Sequence, residues 1–112
     1  MEDRLLAILD SFNYPVYRQG SAPDVYPPTF VTFWQADAPD ISHYDNAPHS
    51  TAWEYSVYVY STDVRTCYNL QAQIIAALRA DGWVIPGRGY DARSDNPSHI
   101  GRGLDVTYIE YY

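Results

Sequence analysis

The chain contains no lysine: all seven of its basic residues are arginines. Against fourteen acidic residues they leave a net charge of −7. That balance argues against specific nucleic-acid binding and against attachment to an anionic membrane face. Cysteine occurs once, at Cys67, so no disulfide can form within the chain. A lone thiol fits a reducing compartment, and its place in a helical pattern reads as packing rather than as a nucleophile. No apolar run approaches ~20 residues, so no helix is expected to span a bilayer. The opening MEDRLLAILDSF lacks both a basic start and a long apolar core, and is not expected to act as a secretory signal.

Aromatics are what the chain has in quantity, with twelve tyrosines and three tryptophans among 112 residues. Rings with a polar tip suit half-buried surfaces, subunit interfaces among them. The length fits one domain, residues 1–112, and 46% of the residues are hydrophobic, enough for a core.

Residues 2–12 read as a short amphipathic helix, with Leu5, Ile8, Leu9 and Phe12 on one face. Asn13 and Pro15 end it. A short strand is predicted over 16–19 and a second over 29–35, the latter apolar on both faces and therefore central or interface-facing. Residues 36–51 read as a polar loop. The clearest strand is 52–62, where Trp53, Tyr55, Val57 and Val59 alternate with Glu54, Ser56, Tyr58 and Tyr60. Thr62 or Asp63 caps a helix over about 64–81 with Cys67, Leu70, Ile74, Ala77 and Leu78 as its stripe, and Gly82 stops it. A strand is predicted to start at 83–85, and the last at 103–111. The order predicts an α+β domain: a mostly antiparallel sheet of four to five strands with two helices packed on one face.

The segment GRGYDARSDNPSHIGRG, residues 87–103, holds four of the six glycines and echoes itself: GRGYD returns fourteen residues later as GRGLD. A phosphate loop would need the glycines to lead straight into a helix, and here they lead into a polar loop containing Pro97. His43, Asp45, His49, Asp91, Asp95 and His99 could ligate a metal or serve a hydrolytic site if the loops 36–51 and 87–102 shared an edge of the sheet. Their spacing matches no metal signature. Ser94 and Ser98 lie near His99 without the turn that frames a nucleophile. The simpler reading makes Gly87, Gly89, Gly101 and Gly103 positions of positive φ or close approach at the mouth of a hairpin. Arg88, Arg93 and Arg102 would then clamp Asp91, Asp95 or Asp105, or an acidic neighbour.

The stretches YPVYRQGS, YPPTFVTFW, SHYDN, WEYSVYVYSTD and IPGRGYDARSDNPSHIGRGLDV resemble a group of small phage and prophage tail proteins, from Gram-positive siphophages with long non-contractile tails. The resemblance runs over about residues 14–110. By position and size that group is similar to tail terminator and tail-completion proteins, which form a hexameric ring where tail meets head. It implies an α+β fold and a virion structural role in head–tail joining, not an enzyme, with no cofactor and no metal. It implies partners in further copies of the chain, a tail tube protein and head–tail connector proteins, no membrane, and assembly in the bacterial host cytoplasm. A head-side connector or minor capsid protein is the alternative, and a His/Asp metal or hydrolytic domain the alternative of another class. The expected subunit or partner contacts are His43, Tyr44, Asp45, Arg88, Tyr90, Asp91, Asp95, His99 and Arg102. Arg88→Ala and Arg102→Ala are both expected to leave the monomer folded and weaken assembly. A negative ring would also let DNA pass without sticking.

Overall fold

A computed structural model describes residues 1–19, 21, 23–44 and 47–112, and of residues 40–44 and 47–49 the backbone only. The elements run α1 (Glu2–Asp10), β1 (Val16–Arg18), β2 (Thr29–Asp37), β3 (Asp40–Tyr44), β4 (Ala47–Ser61), α2 (Val64–Ala80), β5 (Tyr90–Ala92) and β6 (Ile100–Tyr111). The fold is α+β, as the sequence predicts. Five strands lie in the order β1-β2-β4-β6-β5, and β3 pairs with β4 off that path. All pairings are antiparallel except β1 with β2.

The long strand β4 organises the rest. At ~3.3 Å per residue its fifteen residues span roughly 50 Å, which matches the 53 Å long axis of the molecule. One edge of β4 pairs continuously with β6, from Ser50↔Tyr111 to Ser61↔Ile100. The other edge is taken by β2 over Glu54–Ser61 and by β3 over Ala47–Thr51.

Alternation then sorts the side chains. Val31, Phe33, Tyr55, Val57, Val59, Leu104 and Val106 form one buried cluster with Leu5 and Leu9 of α1 and with Cys67, Leu70, Ile74, Ile75 and Leu78 of α2. Each fully buried aliphatic side chain contributes roughly 1.5–3 kcal/mol. Two ends are tied down. Gly82, at φ +96, closes α2 in the left-handed conformation expected of it. The Arg4 guanidinium reaches back from α1 to the Asp81 carboxylate with Nε at 2.7 Å and a second nitrogen at 3.1 Å, a forked pair.

Four expectations fail. Residues 36–51 are not a loop: β2 continues to Asp37 and β3 pairs back on β4. That stretch has no apolar alternation, so periodicity could not mark it. Trp83–Ile85 is not a strand; Trp83 and Ile85 are buried in the core, and Val84 makes only a single bridge to Thr107. Residues 87–102 hold β5 and the start of β6 rather than one open loop. And that segment does not share a sheet edge with 36–51. His43 pairs opposite Pro48, whereas Arg102 pairs opposite Val59. Eleven residues of β4 separate them (59 − 48), about 36 Å at ~3.3 Å per residue.

Candidate functional site

The face of the sheet opposite the buried cluster is aromatic. Register places Phe30, Thr32 and Trp34 of β2 beside Tyr60, Tyr58 and Ser56 of β4. These in turn sit beside Gly101, Gly103 and Asp105 of β6, with Tyr90 and Ala92 of β5 next. The rings form a row. Trp34 lies 4.7 Å from Tyr58, Tyr58 stacks on Tyr60 at 6.3 Å, and Tyr60 stacks on Phe30 at 5.1 Å. Tyr90 meets Tyr58 edge-on at 6.2 Å. These are offset and edge-to-face contacts of the kind aromatic pairs favour.

Two of the four loop glycines exist for this row. Gly101 and Gly103 do not have positive φ; of the two expected roles, theirs is close approach. A Cβ on Gly103 would lie 2.6 Å from ring atoms of both Tyr58 and Tyr90, and one on Gly101 would lie 2.8 Å from the Tyr60 ring. The tyrosines lie flat across a strand that offers them no side chain. The two GRG copies also meet: Tyr90, Asp91 and Ala92, which follow the first, pair antiparallel with Gly103, Arg102 and Gly101 of the second.

Polar groups close the row at one end. The Tyr90 hydroxyl donates to Asp105 Oδ1 at 2.9 Å, and Ser56 donates to the same oxygen at 3.0 Å. The Tyr58 hydroxyl, 3.3 Å from that of Tyr90, is then left to donate to it. Burial first, then the bonds to Tyr58 and Asp105, push the Tyr90 phenol well above the usual tyrosine range. Burial is also the main cause of the upward shifts at Tyr55 and Tyr60. Each phenol thus holds its proton more tightly folded than unfolded. Below about pH 9 both states are protonated and stability is unaffected. Above the ordinary tyrosine value of ~10 the unfolded chain loses protons first, so stability falls as pH rises. Urea unfolding between about pH 8 and pH 11 should show this decline, and Tyr90→Phe should make it shallower while lowering stability at pH 8. An unchanged slope would rule Tyr90 out as a contributor.

The sequence-predicted contact residues divide. His43 and Tyr44 lie on β3, where the backbone alone is described, and Asp45 lies outside the described residues. His99 is buried, with Nε2 donating to the Pro27 carbonyl at 2.8 Å and its ring edge-on to Tyr26 and Phe30. It is a strut between two loops. Asp95 is exposed, and Tyr26 Oη is 3.5 Å away. Arg102 is mostly buried: it pairs with Asp91 at 2.8 Å, donates to Gln71 Oε1 at 3.1 Å and to the Arg88 carbonyl at 3.2 Å, and lies 4.9 Å over the Tyr68 ring. These partners all lie within the chain. Arg88 is exposed, and among the described residues its side chain has no ion-pair or hydrogen-bond partner. Among the described residues no group of three His, Cys, Asp or Glu side chains could hold a metal ion. The His43 strand position is also too far from Asp91 and His99 for one chain to bring them together.

Across the aromatic row runs an open groove. Tyr26, Phe30 and Thr32 line one end. Trp34, Tyr58, Tyr90 and Asp91 line the other. Gln19, Tyr60, Arg93 and Asp95 border both. No protein-family model matches the chain, and no curated protein does. Sequence reasoning missed this face as a unit. It saw the alternation in 52–62 and the glycines in 101–103, but the register that puts tyrosine over glycine is a pairing between strands about forty residues apart.

Proposed function

We propose that this chain is a structural protein of a phage tail, a tail terminator or tail-completion protein that joins tail to head as a homo-oligomeric ring. It would act in the virion without catalysis, after assembly in the host cytoplasm, against copies of itself, the tail tube protein and the connector proteins. The observation that carries the reading is the groove-bearing row of tyrosines and tryptophan on one sheet face. Interfaces are enriched in Tyr, Trp and Arg, and closed rings need one patch that fits a different patch on the next copy. The resemblance over residues 14–110 supports the same role. A net charge of −7 suits a passage for DNA.

The test is removal of the gene from the phage or prophage that carries it, with particles imaged by electron microscopy. Tails of abnormal length, or tails not joined to filled heads, are expected. Normal infectious particles would overturn the reading. A defect confined to heads would assign the chain to the head side, as a connector or minor capsid protein.

A further inference from the structure

Of the seven arginines, four are committed within the chain. Arg4 is held by Asp81, Arg18 by Glu2, Arg102 by Asp91 and Gln71, and Arg79 donates to the carbonyls of Ile85 and Gly87 at 2.9 and 2.8 Å. Among the described residues the side chains of Arg65, Arg88 and Arg93 have no such partner. Arg88 differs from the other two in how its backbone is held. Gly87 and Gly89 flank it, both with positive φ, at +65 and +84. The Gly87 carbonyl is fixed by Arg79, and the Arg88 carbonyl by Arg102. The loop is locked on both sides of an exposed guanidinium that no described residue binds. A side chain carried on a preordered loop loses less entropy on binding than one on a free loop.

The groove has the complementary chemistry. Its rings, Trp34, Tyr58, Tyr60 and Tyr90, offer the faces over which a guanidinium binds. Its charged rim carries Asp95 and Arg93, and the exposed carboxylate of Asp105 lies on the same face beside Tyr90. The groove cannot be filled by the Arg88 of its own chain in this structure. The Arg88 backbone is held by Arg102, whose position opposite Val59 puts it on the side of the buried cluster, whereas the rings project from the other side.

We propose that the Trp34–Tyr58–Tyr60–Tyr90 groove receives the Arg88 guanidinium of a second copy of this chain. The contact is head-to-tail, since knob and groove lie on different sides of the sheet, and it deepens the assembly role proposed above and rests on it. Copies linked this way form a ring or a chain, not a closed two-fold pair.

Sedimentation velocity on three proteins tests it: the full chain, Arg88→Ala and Asp95→Lys. The lysine places a cation at the mouth of the groove from an exposed position. The unsubstituted chain should associate, and each variant alone should sediment as a monomer, with association weakened about 30-fold or more, as expected for an arginine anchor. An equimolar mixture of the two variants should recover dimers and nothing larger, because only one intact knob and one intact groove can meet. Association of Arg88→Ala equal to that of the unsubstituted chain would overturn the contact, as would a mixture that stays monomeric. So would an unsubstituted chain that is monomeric at about 0.5 mM. None of these results bears on the imaging of gene-deleted particles, so the contact can fail while the tail role stands.

Discussion

Gly89→Ala is expected to lower the melting temperature by about 10–20 °C, whereas Gly87→Ala, two residues away, should cost only a few degrees. Both glycines have positive φ, and a left-handed alanine costs roughly 1–2 kcal/mol in either place. Their surroundings separate them. A Cβ on Gly87 meets nothing within 4 Å. A Cβ on Gly89 would lie 2.3 Å from the Gly103 carbonyl oxygen and 2.3 Å from Gln71 Nε2. The first is backbone of β6. The second is a buried amide that donates to that same carbonyl at 3.1 Å. Neither can move without opening the β5–β6 pairing or stranding a buried polar group, which costs a further ~1–3 kcal/mol. Together these are of order 2–5 kcal/mol, a large part of the ~5–15 kcal/mol that holds a domain of this size together. A thermal melt by circular dichroism reads both variants. Equal melting temperatures for the two would show that the crowding around Gly89 relaxes freely.

The contrast between these two glycines marks what a single sequence can and cannot show. The helical stripes of 2–12 and 64–81 and the alternation in 52–62 are local patterns with a fixed period; both helices form close to their expected bounds, and the strand forms but starts five residues earlier, at Ala47. So does the stop at Gly82, because a left-handed residue is a local need. What fails depends on pairing between distant strands. The β3–β4 pairing lies in a stretch of sequence without apolar alternation, so no periodicity announces it. The glycines at 101 and 103 look like turn residues but are there to admit the rings of Tyr60 and Tyr58 from a neighbouring strand. His43 and His99 looked like neighbours because both sit in polar, turn-rich stretches. The β4 register alone sets them far apart.

Arg102 holds more of the fold than the GRG echo suggests. The GRG echo makes Arg88 and Arg102 look equivalent, and alanine at either is expected to leave the monomer folded. Arg102→Met should instead cost about 2–3 kcal/mol, and Arg88→Ala less than about 0.5 kcal/mol. The ion pair with Asp91 is the smaller part of that difference, since an exposed carboxylate gives up little when its partner goes. The larger part is Gln71. Only 3% of this residue is exposed, and its amide is used at both ends: Oε1 accepts from Arg102 Nε, and Nε2 donates to Gly103. Methionine keeps the length of the stem and the packing over Tyr68 but leaves Oε1 buried without a donor, a loss of roughly 1–3 kcal/mol. It also frees the Arg88 carbonyl. Lysine should rescue little, because one ammonium cannot reproduce a planar fork aimed at Gln71, Asp91 and a carbonyl together. Urea denaturation of Arg102→Met, Gln71→Leu and the double variant separates the contributions. Residues sharing a buried network couple by ~0.5–3 kcal/mol, so the double variant should be more stable than the sum of the singles predicts. Strict additivity would show that Arg102 acts on the fold through something other than Gln71.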